Sequence, residues 1–122
     1  TSGAWPRGQE RTRAQGVNQN LKEVEHMKPD IRASITLTRE EPVYSGYRPA
    51  HLIGNYLTTG IHEYFNTNIL KNGETVEGTI SFISPEYYPH SLKVGMRLIF
   101  QEGSRITGYA EILEIYNELL KT

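Results

Sequence analysis

The feature that most constrains the fold is an alternation of apolar and polar residues with a period of two. It is clearest over residues 31–38, where Ile, Ala, Ile and Leu alternate with Arg, Ser, Thr and Thr. Successive side chains of a β-strand point to opposite faces, so this pattern predicts a strand with one buried face. Glu40, Glu41 and Pro42 follow and end the strand.

Five further strands are predicted from the same alternation, each bounded by a turn or junction. Asn72-Gly73 is a strong signal for a tight turn, and Glu102-Gly103-Ser104 is a second turn. Thr58-Thr59-Gly60 is expected to form a junction between two strands. The five strands are predicted at residues 52–57, 61–65, 75–83, 96–101 and 105–115.

Six short strands without a long helix are typical of an all-β fold, either a small barrel or a sandwich. Gly108 predicts a bend or bulge in the last strand, and residues 117–121 are expected to form a helical turn. A chain of 122 residues with 37% hydrophobic content can bury one modest core. We therefore expect one domain over residues 28–122, a small barrel of about six antiparallel strands.

The first segment of the chain has a different composition. Residues 1–20 are rich in Gly, Arg, Gln and Asn, and Trp5 is the only large apolar residue. Such a segment cannot bury enough surface to offset its ordering entropy, so residues 1–27 are predicted to be a flexible arm. A helical turn capped by Asn20 is expected at its end. A basic contact arm and an expression tag are the two alternatives for this segment.

Composition excludes several classes of function. The formal net charge is −1, so no overall basic field attracts nucleic acid. Because the chain has no cysteine, disulfides, thiolate metal sites and cysteine nucleophiles are excluded. No apolar run is long enough to span a membrane, and no signal-peptide pattern opens the sequence. We expect a soluble cytoplasmic protein with no membrane partner.

No constellation of residues predicts catalysis. His51, His62 and Glu63 come nearest to a metal-ligand cluster, but neighbouring strand residues His62 and Glu63 point to opposite faces. Ser91 lacks the nucleophile-elbow motif that a hydrolase would need. We expect no catalytic residue, no metal and no cofactor.

The stretch from 42 to 59 is the most distinctive in the chain. Pro49 holds Arg48 in an extended conformation, and Gly46 permits a tight turn just before Tyr47. One interpretation is a surface turn between strands. The other is an arginine presented between aromatic residues, where it grips a phosphate or a partner protein.

Three motifs occur in the same order as in a known family: Ser45-Gly46-Tyr47-Arg48-Pro49, Thr58-Thr59-Gly60, and residues 101–108, which read Gln-Glu-Gly-Ser-Arg-Ile-Thr-Gly. From residue 28 to about 115 the chain resembles the C-terminal (third) barrel of bacterial elongation factor Tu. The family's phosphate-binding loop is absent, so no nucleotide partner is expected.

The resemblance implies a site for RNA. In the family, this barrel helps to bind the acceptor and T-stem backbone of aminoacyl-tRNA. Arg48 matches an RNA-contacting arginine of the family, and Thr59 and Gly103 fall where the family also approaches the RNA backbone. Ala50 and Ser84 stand where the family has a glutamine and often a lysine, so two polar or basic contacts are missing.

We therefore weigh two binding functions. The first is a protein-interaction domain, such as an immunity protein or an elongation-factor mimic, that contacts another protein through Tyr47, Tyr87, Tyr88 and His90. For residues 85–90 the alternative is a lid that closes one end of the barrel. The second function is binding of tRNA or the translation machinery through Arg48, Thr59 and Gly103. A fragment of a longer protein is a third possibility.

Overall fold

The computed structural model describes residues 28–122, and these form strands together with two single-turn 3₁₀ helices, Pro85–Tyr87 and Glu118–Leu120. The predicted arm and its helical turn lie outside the described residues. Neither of the two helices within residues 28–122 has the length or the apolar character of a membrane span. The strands are β1 (Ile31–Leu37), β2 (Val43–Tyr44), β3 (Ala50–Ile53), β4 (Tyr56–Tyr64), β5 (Ile69–Leu70), β6 (Thr75–Phe82), β7 (Arg97–Glu102) and β8 (Arg105–Ile115).

Six of these strands close into an antiparallel barrel in the order β1-β6-β4-β3-β7-β8, and β8 pairs back onto β1. The two short strands, β2 and β5, form a separate two-stranded ribbon. The prediction of an all-β barrel of about six antiparallel strands is therefore confirmed. The sandwich alternative does not describe this chain, because closure leaves the six barrel strands without free edges.

The core lies inside the barrel and follows the alternation that the sequence shows. In β1 the four apolar residues at 31, 33, 35 and 37 are fully buried, while the three polar residues between them are partly exposed. Burial of a large apolar side chain contributes about 1.5–3 kcal/mol, so these inward rows supply most of the stabilisation. The largest fully buried apolar side chains are Phe100, Ile31, Ile35, Leu37, Ile53, Leu70, Ile80, Leu92, Leu98, Ile112 and Leu120.

The predicted division at Thr58-Thr59-Gly60 is wrong. β4 runs unbroken from Tyr56 to Tyr64, and the turn comes earlier, at Gly54, which has a φ of +60°. The inward positions of β4 are Thr58, Gly60, His62 and Tyr64, which are small or polar and so conceal the period of two. The Asn72-Gly73 turn is confirmed, with Gly73 at a φ of +86°.

The predicted irregularity at Gly108 is confirmed as a β-bulge. Gly108 pairs with Phe100, whereas Ile106 pairs with Gln101, so Thr107 is the extra residue on β8. A Cβ atom on Gly108 would lie 2.3 Å from both the Phe100 ring and the carbonyl oxygen of Thr36. Only glycine allows β8 to approach its neighbours this closely.

The chain after β8 closes one end of the barrel. The expected helical turn is present at Glu118–Leu120, and the Asn117 side chain accepts a hydrogen bond from the Leu119 amide. Buried Asp30 accepts hydrogen bonds from the Phe82 amide (2.6 Å) and from Asn117 (2.8 Å). Burial nevertheless raises the pKa of Asp30, because the loss of hydration outweighs these two bonds.

Candidate functional site

The segment from Ser45 to Pro49 lies along β4 and continues the line of β3. The Gly46 amide donates to the His62 carbonyl (2.6 Å), and the His62 amide donates to the Tyr47 carbonyl (2.8 Å). Further along, the Gly60 amide donates to the Pro49 carbonyl at 3.2 Å. These bonds fix which side chains of the segment face the barrel interior and which face solvent.

Arg48, Thr59 and Gly103 lie on the outside of the barrel on neighbouring parts of the sheet. Tyr47 packs inward, with its ring centroid 5.5 Å from that of His62, so Arg48 points outward and is exposed. Ala50 pairs with Thr59 on one side and with Gln101 on the other, two residues before Gly103. The structure thus brings the three RNA-site candidates towards one face.

The arginine that anchors the motif to the barrel is Arg39, not Arg48. Arg39 forms an ion pair with Glu102 and donates to the Glu41 carbonyl at 2.9 Å. Arg105 also pairs with Glu102, at 3.3 Å. Among residues 28–122, Arg48 forms no ion pair. Two of the positive charges near the motif are therefore neutralised by carboxylates.

Tyr47 is tied to the same cluster and is only partly exposed. Its hydroxyl donates to Glu102 (2.5 Å) and lies 2.9 Å from the Thr107 hydroxyl. Burial, with the adjacent Glu102 carboxylate, raises the pKa of Tyr47 to about 12. The hydrogen bond from Tyr47 is in turn the main reason why the pKa of Glu102 is lowered. This tyrosine joins two of the sequence motifs, and its polar tip is already occupied.

The two adjacent tyrosines of the lid, which we define as residues 85–92, have opposite environments. Tyr87 is 70% exposed, whereas Tyr88 is only 5% exposed and packs edge-on against Phe82. The Tyr88 hydroxyl lies 2.8 Å from the Thr58 hydroxyl inside the barrel. Tyr88 is therefore part of the closure of the barrel, and Tyr87 is the lid tyrosine that a partner protein can reach.

His90 holds the lid against the end of the chain. It has a φ of +58°, its Nδ1 lies 2.8 Å from the Lys121 carbonyl, and its amide donates to the Leu119 carbonyl. The Leu92 amide bonds to the Leu120 carbonyl at 2.9 Å, and both leucine side chains are fully buried. His90 is exposed, but its hydrogen bonds give it a structural part in seating the lid.

A group of exposed apolar side chains surrounds a groove between β4 and the lid. Leu52 and Leu57 are register partners that both point outward, because their neighbours His51 and Thr58 point inward. The groove has a volume of about 340 Å³, and all the residues that line it are uncharged. We call the following side chains the apolar face: Leu52, Tyr56, Leu57, Ile83 and Tyr87.

The barrel interior contains a polar chain that the sequence does not reveal as such. His51 and His62 are fully buried, with their Nε2 atoms 2.8 Å apart, and His62 Nδ1 lies 3.1 Å from the Tyr64 hydroxyl. Glu63 points outward, as predicted for the neighbour of His62. No group of three potential metal ligands is found within residues 28–122.

Two features of this site were therefore missed from the sequence. The outward positions of Leu52 and Leu57 follow from the alternation once the turn at Gly54 is recognised. The contact between His51 and His62 requires in addition the register of β3 on β4, which the wrong division of β4 concealed.

The fold and these contacts define the class of protein as a small closed β-barrel, with a lid over one end and an apolar face on its outer surface. Comparison with protein-family models and with curated proteins finds no match to this chain.

Proposed function

We propose that this chain is a non-enzymatic binding module whose apolar face docks an apolar segment of another protein. The observation that carries the proposal is the cluster of large apolar side chains left exposed around an uncharged groove. Leu57 and Ile83 are each 55% exposed, and burying such side chains against a partner stabilises a complex. Tyr87 adds a large ring with a polar tip, a residue type common at the centre of interfaces.

The wider proposal is that the barrel is of the elongation factor Tu C-terminal type and acts in the cytoplasm. The order of the three sequence motifs supports this relation, as does the closed barrel in which Tyr47 and Glu102 join two of them. An immunity protein, or a mimic that competes with the elongation factor for its partners, fits a detached barrel with a free apolar face.

Binding of tRNA is the second candidate, and one observation favours it. Arg48, Thr59 and Gly103 lie on one outer face, and Arg48 has no carboxylate partner among the described residues. Phosphate contacts give RNA binding its strength. We rank this function second because Arg39 and Arg105 are already paired with carboxylates and the net charge is −1.

The test is capture of partners from a native lysate at low and high salt, with and without ribonuclease, followed by binding of the purified captured protein. Leu57→Asp introduces a charge into the apolar face and is expected to weaken that binding at least about tenfold, or 1.4 kcal/mol. Tyr44→Asp is the matched control, since Tyr44 is comparably exposed but lies on the β2–β5 ribbon.

The outcomes separate the two candidates. Equal binding by wild type, Leu57→Asp and Tyr87→Ala would contradict docking at the apolar face. Recovery of RNA that disappears with salt or with Arg48→Ala would instead support the RNA function, because phosphate-dominated binding weakens steeply as salt is added.

A further inference from the structure

The buried histidine pair has a restricted capacity for protons. When both rings are neutral they carry two N–H groups, and only one of these can lie between the two facing Nε2 atoms at 2.8 Å. His62 Nδ1 exchanges a hydrogen bond with the Tyr64 hydroxyl at 3.1 Å. His51 Nδ1 is fully buried and has no hydrogen-bond partner within the described residues.

With one proton added, the pair carries three N–H groups, one between the two Nε2 atoms and one on each Nδ1. His62 Nδ1 then donates to the Tyr64 hydroxyl, and the extra proton places a cation in the core. A second proton would set two N–H groups against each other across the 2.8 Å contact. Both steps favour any conformation in which the rings reach water.

Within residues 28–122, no acidic side chain lies against the pair to compensate this charge. The titratable residues packed against the pair are Tyr64, through its hydroxyl, and Tyr47, through its ring. The remaining aromatic neighbours are Phe82 and Phe100. The nearest carboxylate in this network, Glu102, bonds to the far end of Tyr47. Burial lowers the pKa of His51 to about 4, an effect that the nearby carbonyls of Thr58 and Pro49 only partly oppose. Burial, followed by the charge of His51, lowers the pKa of His62.

The strand that carries His51 has, on one side, the shortest pairing in the barrel. β3 has four residues and pairs with β7 at only two positions, Ala50 with Gln101 and His51 with Phe100. On this short strand the buried histidine is followed directly by Leu52 of the apolar face. A movement that brings His51 to water must therefore also displace Leu52 from its position opposite Leu57.

We propose that the His51–His62 pair is an acid-sensitive switch, in which proton uptake releases β3 from the barrel and withdraws Leu52 from the apolar face. The release of β3 stands on the geometry of the pair alone. The loss of docking that follows from it rests on the proposed function.

Amide hydrogen exchange of the full chain between pH 7 and pH 4.5, corrected for intrinsic rates, tests the release. The pKa of His51 is about 4 when β3 is paired in the barrel and 6.5, the ordinary value, when β3 is released. Protection of the Leu52 and Ile53 amides is therefore expected to fall about 20-fold between pH 7 and pH 5. At pH 5 these amides should exchange faster than those of β1. Constant protection in β3, or equal protection in β3 and β1, would overturn the switch.

Variants separate the histidine pair from other acid effects. His51→Phe combined with His62→Leu removes both titrating rings and is expected to abolish the pH dependence of exchange in β3. His90→Gln, outside the barrel interior, should leave that dependence unchanged. If the double variant does not fold, the NMR signals of the His51 and His62 ring C–H groups are followed against pH in the wild-type protein instead. Titration of His51 or His62 near pH 6.5 with no change in β3 exchange would refute the proposal.

The consequence for docking is measured with the purified captured protein at pH 7 and pH 5. Wild type is expected to bind more weakly at pH 5 than at pH 7, by less than the roughly 20-fold change in opening, whereas the double variant should bind equally at both. Equal binding by wild type at both pH values would overturn the link to docking. If no protein binds at pH 7, the proposed function fails, and the exchange experiment still decides the switch.

Discussion

Removal of the Tyr88 hydroxyl is expected to destabilise the barrel by about 1–3 kcal/mol. The Tyr88 and Thr58 hydroxyls lie 2.8 Å apart and both residues are buried. Tyr88→Phe keeps the ring against Phe82 but leaves the Thr58 hydroxyl without this partner in an apolar setting, which costs most of its desolvation free energy. Urea denaturation at pH 7 measures the change in the free energy of unfolding.

A double-mutant cycle isolates the contact. Thr58→Val removes the other hydroxyl and is expected to have a similar cost, because the Tyr88 hydroxyl then loses its partner. When both hydroxyls are absent no polar group is left unpaired, so the double variant should be less destabilised than the sum of the single variants. A coupling free energy of about 1 kcal/mol or more is the expected result.

Tyr87→Phe is the matched control, since it removes the hydroxyl of the exposed neighbour. Its effect should stay within about 0.5 kcal/mol, as is usual for surface substitutions. If Tyr88→Phe is as mild as Tyr87→Phe, or if the two hydroxyl deletions are additive, then the contact with Thr58 does not hold the lid and the reasoning is refuted.

Two further predictions concern the bulge and the Glu102 cluster. Gly108→Ala places a methyl group 2.3 Å from the Phe100 ring and the Thr36 carbonyl oxygen. Urea denaturation should show a free energy of unfolding that is lower by about 3 kcal/mol or more. An unchanged unfolding midpoint would contradict the close approach. The pKa of Glu102 is lowered in the folded protein, so its stabilising effect is present above the ordinary value of 4.5 and is lost as the pH falls through the folded-state pKa. Glu102→Gln should therefore have a lower free energy of unfolding than wild type at pH 7, and this difference should become smaller below pH 4.5. A difference that stays constant with pH would show that the Tyr47 hydrogen bond does not depend on the charge of Glu102.

The sequence predicts the fold where the alternation is unambiguous. β8 has the predicted bounds, β1 ends one residue before the predicted end at residue 38, and Gly108 marks the bulge. In β1 every inward position is apolar, so the alternation is plain. β4 was divided wrongly because its inward side chains are Thr58, Gly60, His62 and Tyr64. These residues form a polar interior that a count of apolar residues does not recognise.

The candidate site was predictable only in part, because its contacts join distant segments. Arg48 was expected to be presented to solvent and is exposed, but the pairing of Tyr47 with Glu102 spans 55 residues. Tyr87 and Tyr88 are identical in the sequence and differ only in orientation, which the closure of the lid decides. Such contacts depend on strand register, and composition does not encode register across a barrel.

Closure of the barrel through β1 and β8 also determines when the protein can become stable during its synthesis. Ile31 on β1 pairs with Ile115 on β8, so one edge of β1 stays uncovered until β8 has been synthesised and has paired with it. Until then a nascent chain presents two open strand edges, which invite pairing with other chains. A ribosome that stalls before residue 105 therefore releases a product prone to aggregation, and folding of the complete barrel is expected to be slow and all-or-none.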